Sequence, residues 1–128
     1  DSIYTEVESA VNFAEQTGVD SLAVSIGTAH GCYRGTPKLN FERLRELNAA
    51  VKIPLVLHGG SGTGDVNLKF CSELGIAKIN LFTDLVRGGV EAMKRASTED
   101  LIELTSASAK GMKETLRHYY SVFGRKEG

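Results

Sequence analysis

Two histidines, a glycine-rich run and a strand-end asparagine carry most of the chemistry available to this sequence. His30 closes the stretch Ser25-Ile26-Gly27-Thr28-Ala29-His30, and His58 follows the apolar run Leu55-Val56-Leu57. Neutral imidazole suits a zinc ion, which also needs a third protein ligand and an open coordination position before it can catalyse. If both histidines end adjacent strands, they approach one cation from neighbouring loops. Taken singly, each is more often a hydrogen-bonded structural residue. His118, beside Tyr119 and Tyr120, has nothing to place it with the other two.

The run Gly59-Gly60-Ser61-Gly62 lets the backbone bend closely around a ligand. Successive N–H groups then form an anion nest, to which Ser61 adds a hydroxyl. A phosphate fits such a nest, and a plain strand-to-helix turn is the alternative. Thr83, at the start of a helix, offers a hydroxyl and backbone donors aligned with the helix dipole, or else serves as a simple N-cap. Asn80 is an amide in an otherwise apolar strand, which costs free energy unless it finds partners. It is expected at the ligand end, with a bond to a neighbouring loop as the alternative.

The elements that must position these groups alternate between amphipathic stretches and short apolar runs, a pattern that favours parallel βαβ units. Thr5 and Glu8 form a capping box before a first helix whose inner face is Val7, Ala10, Val11 and Ala14, stopped by Gly18. A buried strand over residues 21–26 ends at Gly27. A second helix starts near Asn40, with Phe41, Leu44, Leu47 and Val51 inside, and Pro54 opens the strand Leu55-Val56-Leu57. A third helix spans residues 65–74 and stops at Gly75, ahead of a strand over residues 77–81. Thr83 or Asp84 caps a fourth helix through about Arg95, and a last helix from about Ser108 carries Met112, Leu116, Tyr119 and Phe123 to Gly124. In parallel α/β folds ligands sit beyond the carboxyl ends of strands, where the unusual residues here fall.

The fold class is therefore α/β, about three parallel strands with helices plus a C-terminal helix. Three strands do not close a barrel, and a complete eightfold β/α barrel takes roughly 250 residues. The 128 residues read as about half of one, starting at a helix cap as a fragment does. No repeat or linker divides residues 1–128, which are assigned to one unit. Fifteen Lys and Arg against sixteen Asp and Glu give a formal net charge of −1, so no basic field exists to hold nucleic acid or an anionic membrane. No apolar run approaches a membrane span and no signal segment opens the sequence. Cys32 and Cys71 are not spaced as a redox or metal pair and read as free thiols of a reducing, cytoplasmic compartment.

Taken in order, Ser25-Ile26-Gly27-Thr28-Ala29-His30-Gly31, Pro37-Lys38-Leu39-Asn40-Phe41, Pro54-Leu55-Val56-Leu57-His58-Gly59-Gly60-Ser61-Gly62, Lys78-Ile79-Asn80 and Thr83-Asp84 resemble the class II, zinc-dependent ketose-bisphosphate aldolases, which include the fructose- and tagatose-bisphosphate enzymes. The resemblance covers nearly the whole chain and implies the C-terminal half of a (β/α)8 TIM barrel. It makes His30 and His58 two zinc ligands, and Gly31, Gly59, Ser61, Asn80 and Thr83 contacts of a dihydroxyacetone-phosphate moiety. Main-chain oxygens at Gly27 and Gly59 are implied to help hold a monovalent cation, Na⁺ or K⁺. The implied reaction is reversible aldol cleavage of a ketose 1,6-bisphosphate by a homo-oligomer, a dimer or tetramer.

Departures from the family pattern are equally specific. The third zinc histidine and its adjacent catalytic aspartate belong to the preceding half of the barrel and match nothing here, so this chain alone is expected to be inactive. Arg34 stands where many members have lysine, and Phe82 where many have a small or acidic residue. No match is found to the arginine that in many members reaches across a dimer. A non-catalytic phosphosugar-binding fragment and a metal-independent phosphate-binding barrel enzyme are the rival readings.

Overall fold

The computed structural model describes residues 4–28 and 37–124. His30, Gly31, Cys32 and Arg34 lie outside the described residues. Helix α1 (Val7–Thr17) leads into strand β1 (Leu22–Val24), helix α2 (Phe41–Ala50) into β2 (Leu55–Leu57), and α3 (Asp65–Glu73) into β3 (Ile76–Ile79); α4 (Thr83–Ala96) and α5 (Leu101–Val122) follow. The strands form one sheet in the order β1-β2-β3, every pair parallel. This is the α/β arrangement expected from the sequence.

Alternation along the strands sends Leu55 and Leu57 to one face and Val56 to the other, yet all three are buried. Burial on both faces is typical of a central parallel strand and explains the unbroken apolar run. Ala10, Val24, Ile26, Leu39, Leu44, Leu47, Val51, Leu68 and Ile76 join them in the core of this part of the chain. Cys71 is buried among them as a free thiol, and burial pushes its pKa up to about 11.

Local signals set most helix ends. Asn40 caps α2 by accepting from the Arg43 N–H at 2.9 Å. Gly18, at φ 65°, ends α1 with its N–H on the Ala14 carbonyl. The capping box expected at α1 does not form: Glu6 holds the N-cap position without a side-chain bond. Thr5 is taken by a distant partner instead. Its N–H donates to the Ser25 carbonyl at 2.9 Å and its hydroxyl accepts from the Ser25 N–H at 2.8 Å. Two bonds to the end of β1 outweigh one local cap. Arg43 secures the same corner by donating to the Thr5 carbonyl at 2.9 Å and to Glu6 at 3.2 Å. Its Nε lies 2.8 Å from Glu46 as an ion pair, but off the N–H direction, so that buried group has no hydrogen bond.

The contacts divide the chain into one unit up to Asn80 and another from Leu81 onward. In the second unit, α4 and α5 pack on each other at backbone distance. A Cβ built on Gly111 would lie 2.3 Å from the Gly88 carbonyl oxygen and 2.6 Å from Ala92 Cβ, and one on Gly88 would lie 2.1 Å from Thr115 Oγ1. The face of α5 turned to α4 therefore includes Ser108, Gly111, Met112, Thr115 and Tyr119. Of the expected stripe Met112, Leu116, Tyr119 and Phe123, only Tyr119 is buried. Helix α5 also starts seven residues earlier than expected, capped by Asp100, whose carboxylate accepts from the Glu103 N–H at 2.9 Å. Thr83 is the first residue of α4, with Phe82 in the N-cap position, so the N-cap reading of Thr83 is corrected.

Two outcomes are expected. Gly111→Ala forces a methyl group onto backbone atoms of α4 and lowers stability by about 1–3 kcal/mol, read as a shifted denaturant midpoint. Cys71, with so high a pKa, reacts with a thiol reagent at pH 8 only as fast as the chain opens, so its labelling rate follows the opening equilibrium rather than thiolate fraction.

Candidate functional site

The carboxyl edge of the sheet is built from main-chain bonds that run past the ends of the strands. Asn80, just beyond β3, donates its N–H to the Leu57 carbonyl at 3.0 Å and accepts from the Gly60 N–H at 3.1 Å. The ladder thus brackets His58 between two fixed points. From the other side, Thr28 Oγ1 donates to the His58 carbonyl at 2.7 Å. The segment after β1 and the segment after β2 therefore run side by side. Gly27, where the first turns, has φ 108°, and a Cβ there would meet the Lys38 carbonyl at 3.0 Å, so only glycine fits without strain.

His58 is exposed at this edge. Asn80 Nδ2 lies 3.3 Å from each of its ring nitrogens, and the ammonium of Lys78 donates to Asn80 Oδ1. An imidazole, a carboxamide and an amine thus form one connected group. Asn80 stands just past the strand end; its main-chain carbonyl bonds the Gly60 loop, while its side-chain amide meets Lys78 and His58.

The glycine run is a tight turn. The Thr63 N–H bonds the Gly60 carbonyl at 3.2 Å with Gly62 at φ 75°, the positive φ that a type II turn requires at its third residue. Gly59 is also left-handed, at φ 70°. The Gly60 and Thr63 N–H groups are spent inside the protein, so they are not the ligand donors that a nest of successive N–H groups would supply. Ser61 is buried at 7% exposure, and a hydroxyl in such low-dielectric surroundings bonds an anion more strongly than one in water.

Thr63 is fully buried and was not singled out by the sequence. Its Oγ1 donates to the Gly59 carbonyl at 3.0 Å, and its own carbonyl accepts from Asn67 Nδ2 at 3.0 Å, which also reaches the Pro37 carbonyl at 3.3 Å. The signal was a threonine one residue past the glycine run, too common to read alone. In the second unit, Tyr119 donates its hydroxyl to Asp84 at 2.6 Å, tying the last turn of α5 to the first turn of α4 beside Thr83. His118 is exposed on α5, edge-on to the Tyr119 ring. Among the described residues, no group of three or more His, Cys, Asp or Glu lies close enough to hold a metal ion, and no helix is long and apolar enough to cross a membrane.

A parallel sheet whose carboxyl edge gathers an imidazole, an amide and a glycine turn is the setting of a small-molecule site in an α/β enzyme. The family model for class-II fructose-bisphosphate aldolase matches residues 1–128, and the chain belongs to that family. Among curated proteins, YdjI of Escherichia coli K12 is 42% identical over 121 residues, which cover 94% of this chain and 44% of YdjI. The crystal structure of the YdjI aldolase superposes with a TM-score of 0.87, covering 94% of this chain and 46% of that one. The fold is shared more distantly with the Campylobacter jejuni fructose-bisphosphate aldolase, at 22% identity and a TM-score of 0.74 over 95% of this chain and 45% of that one. The chain thus spans less than half the length of these relatives.

The Thr63 pair gives a direct check on the turn. Thr63→Val keeps the shape but removes the hydroxyl that bonds the Gly59 carbonyl, at an expected cost of about 0.5–1.5 kcal/mol. Thr63→Ser, which retains the hydroxyl, should recover most of the polar part of that loss in chemical denaturation.

Proposed function

We propose that this chain is part of a zinc-dependent class II aldolase that reversibly cleaves a phosphorylated ketose to dihydroxyacetone phosphate and an aldehyde. The observation that carries the reading is the exposed His58 ring at the end of β2, beside the Asn80 amide and next in sequence to the glycine turn. Family membership and the likeness to a protein titled an aldolase support it. The full ketose 1,6-bisphosphate assignment rests on the sequence resemblance.

The donor chemistry of the edge fits zinc. His58 offers an imidazole reachable from solvent, and the resemblance assigns the other ligands to His30 and to a histidine of the preceding half-barrel. When bound, zinc would polarise the ketose carbonyl and stabilise the negative charge that builds as the carbon–carbon bond breaks. The chain's own residues orient the substrate. Gly59, Ser61 and Asn80 grip the phosphate side of the substrate, and the resemblance adds Gly31 and Thr83. Binding at the phosphate, remote from the breaking bond, supplies the positioning that lowers the barrier. The resemblance also assigns main-chain oxygens at Gly27 and Gly59 to a sodium or potassium ion. No acid or base is assigned within this chain. The whole protein works as a homo-oligomer in the cytoplasm on this reading.

The test is zinc titration and aldol-cleavage assay of the full-length protein against its His58→Ala variant. Loss of a metal ligand should lower zinc affinity and activity by more than the about 10–100-fold typical of losing only a hydrogen-bond partner of a ligand. Undiminished metal content and turnover would remove His58 from the metal site.

A further inference from the structure

Strand β3 is an edge strand of the described sheet, and Ala77 and Lys78 are exposed on it. Lys78 stands opposite Val56 in the β2–β3 register, and Ile79 opposite Leu57. Asn80 and His58 lie just past the ends of their strands, where hydrogen bonds rather than strand alternation place them: the Lys78 ammonium donates to Asn80 Oδ1, and Asn80 Nδ2 lies 3.3 Å from the His58 ring nitrogens.

The two ends of a carboxamide are almost the same size, and hydrogen bonding alone decides which way it faces. An ammonium has three donors and no acceptor, so only the oxygen end can meet it. With Oδ1 on Lys78, the donor end, Nδ2, is the one that lies 3.3 Å from the His58 ring nitrogens. The Asn80 main chain is already fixed by its bonds to Leu57 and Gly60, which leaves rotation of the side chain as the remaining freedom.

We propose that Lys78 is a positioning residue that fixes the orientation of the Asn80 amide, so that Asn80 meets the anionic oxygens of a phosphorylated substrate as a donor. The inference rests on the reading of Asn80 as a substrate contact. Without the ammonium, the amide turns, and its oxygen faces the anion for part of the time. A hydrogen bond to a charged group is then replaced by repulsion. Lys78 touches no substrate in this scheme; it acts through Asn80.

The experiment uses the full-length, zinc-loaded protein and its Lys78→Met, Lys78→Arg, Asn80→Ala and Lys78→Met/Asn80→Ala variants. Calorimetry measures the Kd for dihydroxyacetone phosphate, alongside zinc content and cleavage kinetics. Lys78→Met should weaken binding about tenfold to a hundredfold, the scale of a hydrogen bond to a charged group, with zinc content unchanged. Lys78→Arg, which is also donor-only, should restore most of the affinity. In the Asn80→Ala background the same lysine substitution should change nothing further, because coupled residues are not additive. Wild-type affinity in Lys78→Met, or additive losses in the double variant, would overturn the role of Lys78 alone. A wild-type protein that does not bind dihydroxyacetone phosphate would overturn the functional reading, and this inference with it. If Lys78→Met does not fold, Lys78→Gln, whose amide can meet either end of Asn80, carries the same comparison.

Discussion

Everything at the carboxyl edge depends on the β2–β3 ladder continuing for one residue beyond its last strand pair. Asn80 bonds Leu57 with its N–H and Gly60 with its carbonyl, and these two partners flank His58 and Gly59. A loop that left β2 freely would let the histidine wander. Here its backbone is clamped ahead, behind and, through Thr28, from the side. An exposed ring on a clamped backbone has little left to order when it engages a ligand, which is how rigid elements make binding groups effective. The residue that clamps the main chain also presents its side chain to the same ring, so one asparagine serves as both scaffold and contact.

The glycine turn shows the same economy with different means. Gly59 and Gly62 adopt left-handed angles that would strain other residues, and a turn this sharp leaves carbonyls facing inward. Thr63 and Asn67 satisfy them. Polar groups buried there are paired, as a low-dielectric setting demands. In the unit from Leu81 onward, the comparable bond is Tyr119 to Asp84. It joins helices whose closest approach is through Gly88 and Gly111, where dispersion between backbones takes the place of interlocking large side chains.

How much of this was legible follows from the range of each signal. The strands and the first three helices are written in local apolar periodicity and in caps such as Asn40, Gly18 and Gly75, so they emerge within a residue or two. The start of α5 was missed because its packed face is largely Ser108, Gly111 and Thr115, small residues that hydropathy does not register. Its first turn also exposes Leu101 at 76% and Ile102 at 80%, which breaks any apolar stripe. Thr5 failed as a capping residue because its partner lies twenty positions away at Ser25. At the site, histidine and glycine announce themselves by type. Thr63, Lys78 and Tyr119 do not, because their meaning lies entirely in what they touch: the turn carbonyl, the amide oxygen and a carboxylate thirty-five residues upstream.

The amide–lysine pair also bears on how a metal ligand is kept available. A histidine that coordinates zinc must hold one ring nitrogen unprotonated, and whatever meets the other nitrogen fixes the tautomer. In this structure the donor end of Asn80 lies 3.3 Å from both nitrogens of His58, within reach of whichever one lacks a proton. On the proposed reading, Lys78 holds the oxygen end of the amide, so Nδ2 stays the end turned toward His58 and toward a bound substrate's anionic oxygens. A residue that only donates suits the far side of the amide, because it can meet the oxygen end and never the nitrogen end.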